Sequence, residues 1–309
     1  MTMARNEHTI AADCQCSGRG YWTGKTVRVH CWPADAGTGI RFRRVDLESH
    51  PECQAEIRST DSVPFRTNLR VGDSSVGMVE HLLAALRGLE IDNCVVDIDG
   101  DELPALDGSS LGWSEMLQSA GLIIQPAIRS MLRIDSPIRI DSECGWIAAL
   151  PTDGHAGQYE YQLDYGAGAN IRPQNFSIVL TPGNFIRQLA SARTFVTLEQ
   201  ADQLRRSGVA SHVTTQDLLV IGPSGPVDND YRFRDECARH KTLDMVGDLS
   251  LVGVDLVGRF VSYRGGHQLN GLLAQRLSEL LTQEGRLESD IQTDPFAART
   301  SNAIDRRSA

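Results

Sequence analysis

The pattern of apolar residues predicts one order of elements twice along the chain: strands, a helix, a strand and a second helix. The predicted helices have apolar residues at helical spacing, and the strands between them alternate apolar and polar residues. The helices are expected at residues 78–89, 111–120, 197–207, 233–251 and 268–283. The halves share no obvious sequence repeat, and a chain of 309 residues is too long for one small core. The sequence therefore predicts an α+β fold built from two similar units.

A seam between the two units follows the second helix of the first half. Residues 121–126 leave the helical spacing, and strands resume near Ser130. We therefore place domain I at residues 1–125 and domain II at residues 126–287. From about residue 288 the chain is polar, which predicts a disordered tail over residues 288–309.

The composition argues against several classes of protein. A net charge of -10 argues against a nucleic-acid partner, because phosphate binding needs a basic face. No apolar run approaches the length of a membrane-spanning helix, and residues 1–9 lack the apolar stretch of a signal peptide. The seven cysteines are scattered, and Cys14 and Cys16 have no second close pair with which to complete a metal site, so reduced thiols are expected. We expect a monomeric, cytoplasmic protein.

Two distant fragments supply a set of potential metal ligands. His240 and Asp244 are four residues apart on a predicted helix, so their side chains meet on one face. His81 offers a third ligand, with the Glu80 carboxylate beside it in sequence. Two histidines and one aspartate leave a fourth position for water, as in catalytic zinc sites. With His267 as a further acid–base group, the set predicts metal-assisted hydrolysis, although an isolated histidine is more often a hydrogen-bonded or surface residue.

Six fragments resemble, in the same order, the UDP-3-O-acyl-N-acetylglucosamine deacetylase (LpxC) family of lipid A biosynthesis. They are VEHLLAAL at 79–86, DNCVV at 92–96, PALDGS at 104–109, ARTF at 192–195, RHKTLDMVGDL at 239–249 and GHQLN at 266–270. Each motif alone is weak, but together they are highly specific, and the resemblance spans about residues 8–280. It implies two domains packed face to face, a zinc site in the cleft between them, and an acyl-channel insert at about residues 196–222.

The resemblance also implies a role for each matching side chain. The residues that match the zinc ligands are His81, His240 and Asp244. Those that match the groups acting on the substrate's amide are Glu80 as general base, His267 as general acid, Asp248 as the carboxylate that orients His267, and Thr194 as the hydroxyl that stabilises the oxyanion. Those that match the substrate-binding positions are Lys241, Phe195 and Gly266.

The implied reaction removes the N-acetyl group of UDP-3-O-(3-hydroxyacyl)-N-acetylglucosamine. Its products are UDP-3-O-acyl-glucosamine and acetate, and it is the committed step of lipid A biosynthesis. The implied cofactor is Zn²⁺, although Fe²⁺ suits the same ligand set. The acyl chain of the substrate implies work close to the inner membrane surface, without an integral membrane segment.

The chain departs from the family pattern in places expected to surround the substrate. Trp22 stands where the family has a histidine, and its ring nitrogen cannot accept a hydrogen bond. A basic residue expected near Leu150 is replaced, and the stretch 208–213 is altered. These departures leave two alternatives open. One is a paralogous zinc amidase or deacetylase acting on a different acylated or nucleotide-linked amino sugar. The other is a non-catalytic binding protein, against which the complete set of metal and acid–base residues argues.

Overall fold

The protein is described from a computed structural model that covers residues 5–61, 63, 65–208 and 210–283. Across these residues the chain forms six α-helices, which include all five helices that the sequence predicts. The helices are α1 (Glu80–Gly88), α2 (Leu111–Ser119), α3 (Pro182–Gln188), α4 (Leu198–Arg206), α5 (Glu236–Leu249) and α6 (His267–Gln283).

The strands are distributed over both halves and are mostly short. They are β1 (Asn6–Ile10), β2 (Cys14–Arg19), β3 (Thr26–Pro33), β4 (Ile40–Arg44), β5 (Glu52–Gln54), β6 (Thr60–Asp61), β7 (Asn68–Val71), β8 (Ser74–Gly77), β9 (Cys94–Ile98), β10 (Leu122–Ile128), β11 (Met131–Arg133), β12 (Ile138–Asp141), β13 (Trp146–Leu150), β14 (Gln158–Leu163), β15 (Gln174–Val179), β16 (Phe195–Thr197), β17 (Leu219–Gly222), β18 (Gly225–Pro226), β19 (Asp255–Val257) and β20 (Arg259–Tyr263).

Two five-stranded sheets, one in each half, have the same topology. The strand order is β2-β3-β9-β4-β5 in the first and β12-β13-β20-β14-β15 in the second. In each sheet one neighbouring pair is parallel, β4 with β9 and β14 with β20. The other neighbouring pairs are antiparallel. The prediction of an α+β fold with two similar units is therefore confirmed, although the two halves share no obvious sequence repeat.

A helix from each half meets its counterpart at the centre of the molecule, where α1 packs against α5. Each half has its own hydrophobic core, and the two cores interlock at these helices. Ala84 of α1 is buried in the core of the second half, and Leu251, just after α5, is buried in the core of the first. This packing places the first turn of α1 beside the middle of α5.

Some elements of the structure were not predicted from the sequence. Helix α3 is short and buries only Phe185, so it offers too few apolar positions to show a helical period. Its start is marked instead by Thr181, whose hydroxyl accepts a hydrogen bond from the Asn184 N–H at 3.2 Å. The helix expected at 233–251 begins three residues later, at Glu236. The predicted tail, 288–309, and the end of domain II lie outside the described residues.

Two further predictions concern the class of protein. All seven cysteines are free thiols. No helix in the described ranges combines the length and the apolar character that crossing a membrane requires.

Candidate metal centre and acid–base groups

His81, His240 and Asp244 come together as a buried group that could hold a metal ion. One ligand atom from each residue lies within 4.8 Å of the others. The Nε2 atoms of His81 and His240 are 3.6 Å and 3.4 Å from Asp244 Oδ1. Two consecutive turns of α5 supply His240 and Asp244 from one face, as their spacing predicted, and the first turn of α1 supplies His81.

The hydrogen bond made by His240 fixes which ring nitrogen faces the group. His240 Nδ1 lies 3.1 Å from the carbonyl oxygen of Ala192. Because a carbonyl can only accept, Nδ1 carries the proton and Nε2 presents a lone pair toward Asp244. Burial lowers the pKa of His240 to about 3, so the ring is neutral at neutral pH. A neutral imidazole is the form that binds metal.

Asp244 has one oxygen satisfied and one left without a partner. Lys241 Nζ donates to Asp244 Oδ2 at 2.6 Å, whereas Oδ1 is buried and has no hydrogen-bond partner among the described residues. Burial opposes the charge, but His240 and Lys241 hold the pKa of Asp244 well below its usual range. An unsatisfied buried carboxylate oxygen is costly. Because it faces the lone pair of His240 Nε2 and the Nε2 atom of His81, the donor set fits a cation such as Zn²⁺.

Glu80 lies beside this group, at the first position of α1, and is almost fully buried. Its Oε2 accepts the backbone N–H of Thr67 at 3.1 Å. Burial raises the pKa of Glu80, and the nearby rings of His267 and His81 oppose that rise. A carboxylate with a raised pKa and one oxygen already held is suited to take a proton in a defined direction.

His267 and Asp248 form a second acid–base unit beside the ligand group. His267 Nδ1 lies 2.8 Å from Asp248 Oδ2, and His267 Nε2 lies 3.8 Å from Asp244 Oδ2. Burial disfavours the imidazolium, but Asp248, with smaller contributions from Asp244 and Glu80, raises the pKa of His267 to about 9. The ring is therefore protonated at neutral pH and can donate from Nε2.

Two side chains that the sequence did not single out complete this unit. Asn270 Nδ2 donates to Asp248 Oδ2 at 2.8 Å, and the Thr67 hydroxyl donates to Asp248 Oδ1 at 2.5 Å. Asn270 is one turn beyond His267 on α6, a spacing that could have indicated it. Thr67 is 181 residues from Asp248 in sequence, and no pattern in the sequence points to the contact.

The substrate-binding candidates surround the group. Phe195 packs edge-on to His240, with ring centroids 6.2 Å apart. Thr194 is held by its backbone N–H, which donates to the Gly108 oxygen at 2.7 Å, and its hydroxyl makes no hydrogen bond within the part of the chain described. Lys241 reaches Asp244, as noted above. A Cβ at Gly266 would meet only open space. A Cβ at Gly265 would overlap the Ser262 hydroxyl, so of these two glycines it is Gly265 whose backbone packs closely against a neighbouring side chain.

The departures from the family pattern also have a clear structural setting. The Trp22 backbone N–H donates to the buried Glu102 carboxylate at 2.9 Å, and the Arg66 guanidinium lies 4.6 Å from the Trp22 ring centre. The indole N–H is buried without a partner among the described residues, so the side chain acts there by packing. Leu150 is paired with Arg259 across β13 and β20. His212 Nε2 lies 2.8 Å from the Gly20 oxygen, which ties His212 of the altered stretch to the first half of the chain.

Comparison with known proteins extends this description to most of the chain. A sequence model of the family described as LpxC, UDP-3-O-acyl N-acetylglycosamine deacetylase, matches residues 7–279. The UDP-3-O-acyl-N-acetylglucosamine deacetylase of Nostoc sp. (strain PCC 7120 / SAG 25.82 / UTEX 2576) is 36% identical over 277 residues, which cover 89% of this chain and 99% of the relative. The enzyme of the same name from Trichormus variabilis is 37% identical over 279 residues, with coverage of 89% and 99%. That of Brucella ovis is 36% identical over 285 residues, with coverage of 91% and 97%. The chain therefore belongs to the LpxC family of UDP-3-O-acyl-N-acetylglucosamine deacetylases.

Proposed function

We propose that this protein hydrolyses the N-acetyl group of UDP-3-O-(3-hydroxyacyl)-N-acetylglucosamine, which is the committed step of lipid A biosynthesis. The observation that carries the proposal is the juxtaposition of a buried His81–His240–Asp244 group with two separate acid–base units, Glu80 and His267–Asp248. The family match over residues 7–279 and relatives of that name covered almost end to end support this substrate. They favour it over the alternative of a paralogous zinc amidase.

His81, His240 and Asp244 are the residues that would hold Zn²⁺ or, with the same donor set, Fe²⁺. Such a cation, when bound, supplies Lewis acidity that favours hydroxide at neutral pH and stabilises developing negative charge on oxygen. Lys241 offsets part of the negative charge of Asp244. It also donates to Oδ2, the carboxylate oxygen that does not face the two imidazoles.

Glu80 is the general base for the attacking water. Thr67 holds Oε2, which leaves Oε1 to accept the proton as the water oxygen bonds to the acetamide carbonyl carbon. The Thr194 hydroxyl makes no hydrogen bond within the described residues, so it is free to donate to the carbonyl oxygen as negative charge develops there. Thr194 is therefore assigned the role of oxyanion donor.

His267 is the general acid. Because Asp248 accepts from Nδ1, the proton available for transfer is on Nε2, which faces Asp244 and the ligand group. That proton goes to the leaving nitrogen as the carbon–nitrogen bond breaks. The products are acetate and a free 2-amino sugar, so the proton taken by Glu80 and the proton given by His267 balance the hydrolysis.

The remaining substrate contacts are assigned to residues around this group. Phe195 and Lys241 would contact the nucleotide sugar, and Gly266 offers open backbone beside His267. The acyl chain would enter at the predicted insert, 196–222, where α4, β16 and β17 border a small, mainly apolar cavity of about 30 Å³. Its lining includes Val196, Ala201, Leu204, Val213, Leu218 and Val220.

The experiment is a deacetylation assay with UDP-3-O-(3-hydroxymyristoyl)-N-acetylglucosamine and protein loaded with zinc. We expect turnover by the wild-type protein and a fall of about 10²- to 10⁴-fold in kcat for Glu80→Gln, which keeps the side-chain shape but cannot take a proton. Glu56→Gln, at a half-buried position outside the site, is the matched control and should keep its activity. No turnover by a folded wild-type protein with one equivalent of zinc would contradict the proposed substrate and turn attention to other acylated amino sugars.

A further inference from the structure

We infer that Thr67 is a positioning residue that holds the base and the acid of the reaction in one fixed relation. The inference rests on the proposed function, because it concerns how Glu80 and the His267–Asp248 unit act on the same substrate. Thr67 lies just before β7, in the first half of the chain, and is buried. Neither the sequence motifs nor the metal-ligand pattern include it.

The backbone of Thr67 is fixed against the start of α1. Its N–H donates to Glu80 Oε2 at 3.1 Å, and its carbonyl oxygen accepts the Val79 N–H at 3.3 Å. These two bonds tie residue 67 to consecutive positions at the beginning of one helix. They determine which Glu80 oxygen is occupied and which is free to accept a proton.

The Thr67 side chain reaches in the other direction, to the second half of the molecule. Its hydroxyl donates to Asp248 Oδ1 at 2.5 Å, a length typical of a hydroxyl bonded to an ionised carboxylate. Asp248 Oδ2 is then left for His267 Nδ1 and Asn270 Nδ2. Because each oxygen bonds to different donors, the carboxylate is held in one orientation. The Thr67 hydroxyl oxygen also lies 3.3 Å from His267 Nδ1, and the ring is held with Nε2 toward the ligand group.

Within the described residues, Thr67 is the residue that hydrogen-bonds to both Glu80 and Asp248. Because Glu80 is on α1 and Asp248 is on α5, the contact also joins the half that carries the base to the half that carries the acid. Positioning of reacting groups is sensitive to displacements of about 1 Å, which can cost on the order of 10²-fold in rate. The Thr67 hydroxyl can therefore affect the rate of the reaction although it does not contact the substrate.

The test compares Thr67→Val, which has nearly the same shape but no hydroxyl, with Thr67→Ser, which keeps the hydroxyl. Thr67→Ala removes the hydroxyl without placing a methyl group against the carboxylate, and serves where the valine variant does not fold. Thr9→Val is the matched control. Its buried hydroxyl donates to the Asn93 oxygen at 2.7 Å, so it undergoes the same chemical change away from the site.

We expect Thr67→Val and Thr67→Ala to lose about 10- to 100-fold in kcat, with KM and bound zinc close to the wild-type values. Thr67→Ser should restore most of kcat, and Thr9→Val should keep kcat whatever its stability. The separation of kcat from KM and from metal content, and the rescue by serine, distinguish positioning from a general loss of structure.

Two results would overturn the inference. The first is a folded, zinc-loaded Thr67→Val or Thr67→Ala variant with the kcat of the wild-type protein. The second is a Thr67→Ser variant as impaired as Thr67→Ala, since the hydroxyl would then not be the working group. Failure of the proposed function has a different signature, because the wild-type protein itself would not turn over the acylated UDP-sugar, and the inference would fall with it.

Discussion

Among individual residues, His81 makes the most direct case for a metal site. It is the residue that the first half of the chain contributes to a group otherwise built on α5, and its Nε2 faces the unpartnered Asp244 oxygen. We expect His81→Ala to weaken zinc binding by at least about 100-fold, more than the loss of a ligand's hydrogen-bond partner usually costs. Competition with a chromophoric chelator measures the affinity.

The matched control for that experiment is His155→Ala, at an exposed loop position. It removes an imidazole of the same chemistry away from the site and should bind zinc as the wild-type protein does. Wild-type zinc affinity in the His81→Ala protein would contradict the assignment of His81 as a ligand.

The extent to which residues of the site could be predicted depends on how they are placed in sequence. His240 and Asp244 share a helix face, and their spacing alone brings them together. Thr67 and the Ala192 carbonyl could not be found in this way. One acts across the junction of the halves, and the other is a backbone group that any residue carries. The local geometry of a helix is readable from sequence, whereas contacts made through the tertiary fold are not.

Between elements, the decisive contact is the packing of α1 on α5. A Cβ added at Gly247 of α5 would overlap the backbone oxygen of Glu80, so the helices approach this closely only because residue 247 is glycine. We expect Gly247→Ala to lower the free energy of unfolding by about 1–3 kcal/mol, as overpacking does, and to reduce turnover because the start of α1 must shift. Urea unfolding and the deacetylation assay measure the two effects.

Gly271→Ala on α6 is the control for helix propensity, because a Cβ there meets nothing nearer than Ile57 Cδ1 at 3.9 Å. It should be neutral or raise the free energy of unfolding by up to about 1 kcal/mol. If Gly247→Ala stabilised the protein as Gly271→Ala does, the close packing of α1 on α5 would not limit the fold.

The long helices of both halves were predictable because their apolar faces repeat with the helical period, whereas strand pairing was not. The sequence shows that β4 and β9 are strands, but nothing local shows that they lie side by side and parallel. The repeated sheet topology appears only when the pairings are known.

The domain boundary that we place at 125/126 stays a prediction. It falls within β10, which pairs with β1 near the start of the chain.

For the molecule as a whole, a cluster of five charged side chains joins segments that are far apart in sequence. Arg5 donates to Asp92 at 2.6 Å and to Asp255 at 2.8 Å, and Arg87 donates to Asp255 at 2.7 Å. Arg129 lies 3.0 Å from Asp92 and 3.4 Å from Asp255. The residue before β1, the end of α1, the link between α1 and β9, the link between β10 and β11, and β19 thus meet at one place. Removing one carboxylate would leave buried guanidinium groups without sufficient negative charge.

Asp255 makes the stability of the whole molecule depend on pH. Burial opposes its charge, but Arg87, Arg5 and Arg129 lower its pKa below the ordinary value of 3.8. A group whose pKa is lower in the folded than in the unfolded state adds stability above the unfolded-state pKa, and this stability is lost as the pH falls toward the folded-state pKa.

We therefore expect the melting temperature to fall as the pH drops below about 4, and Asp255→Asn to lose about 3 kcal/mol of stability at pH 7. The variant should also show less change with pH in the acid range, since the titrating group is gone. Asp35→Asn, at an exposed position, should follow the wild-type curve. Parallel acid-range melting curves for the wild-type and Asp255→Asn proteins would show that Asp255 does not cause the loss of stability at low pH.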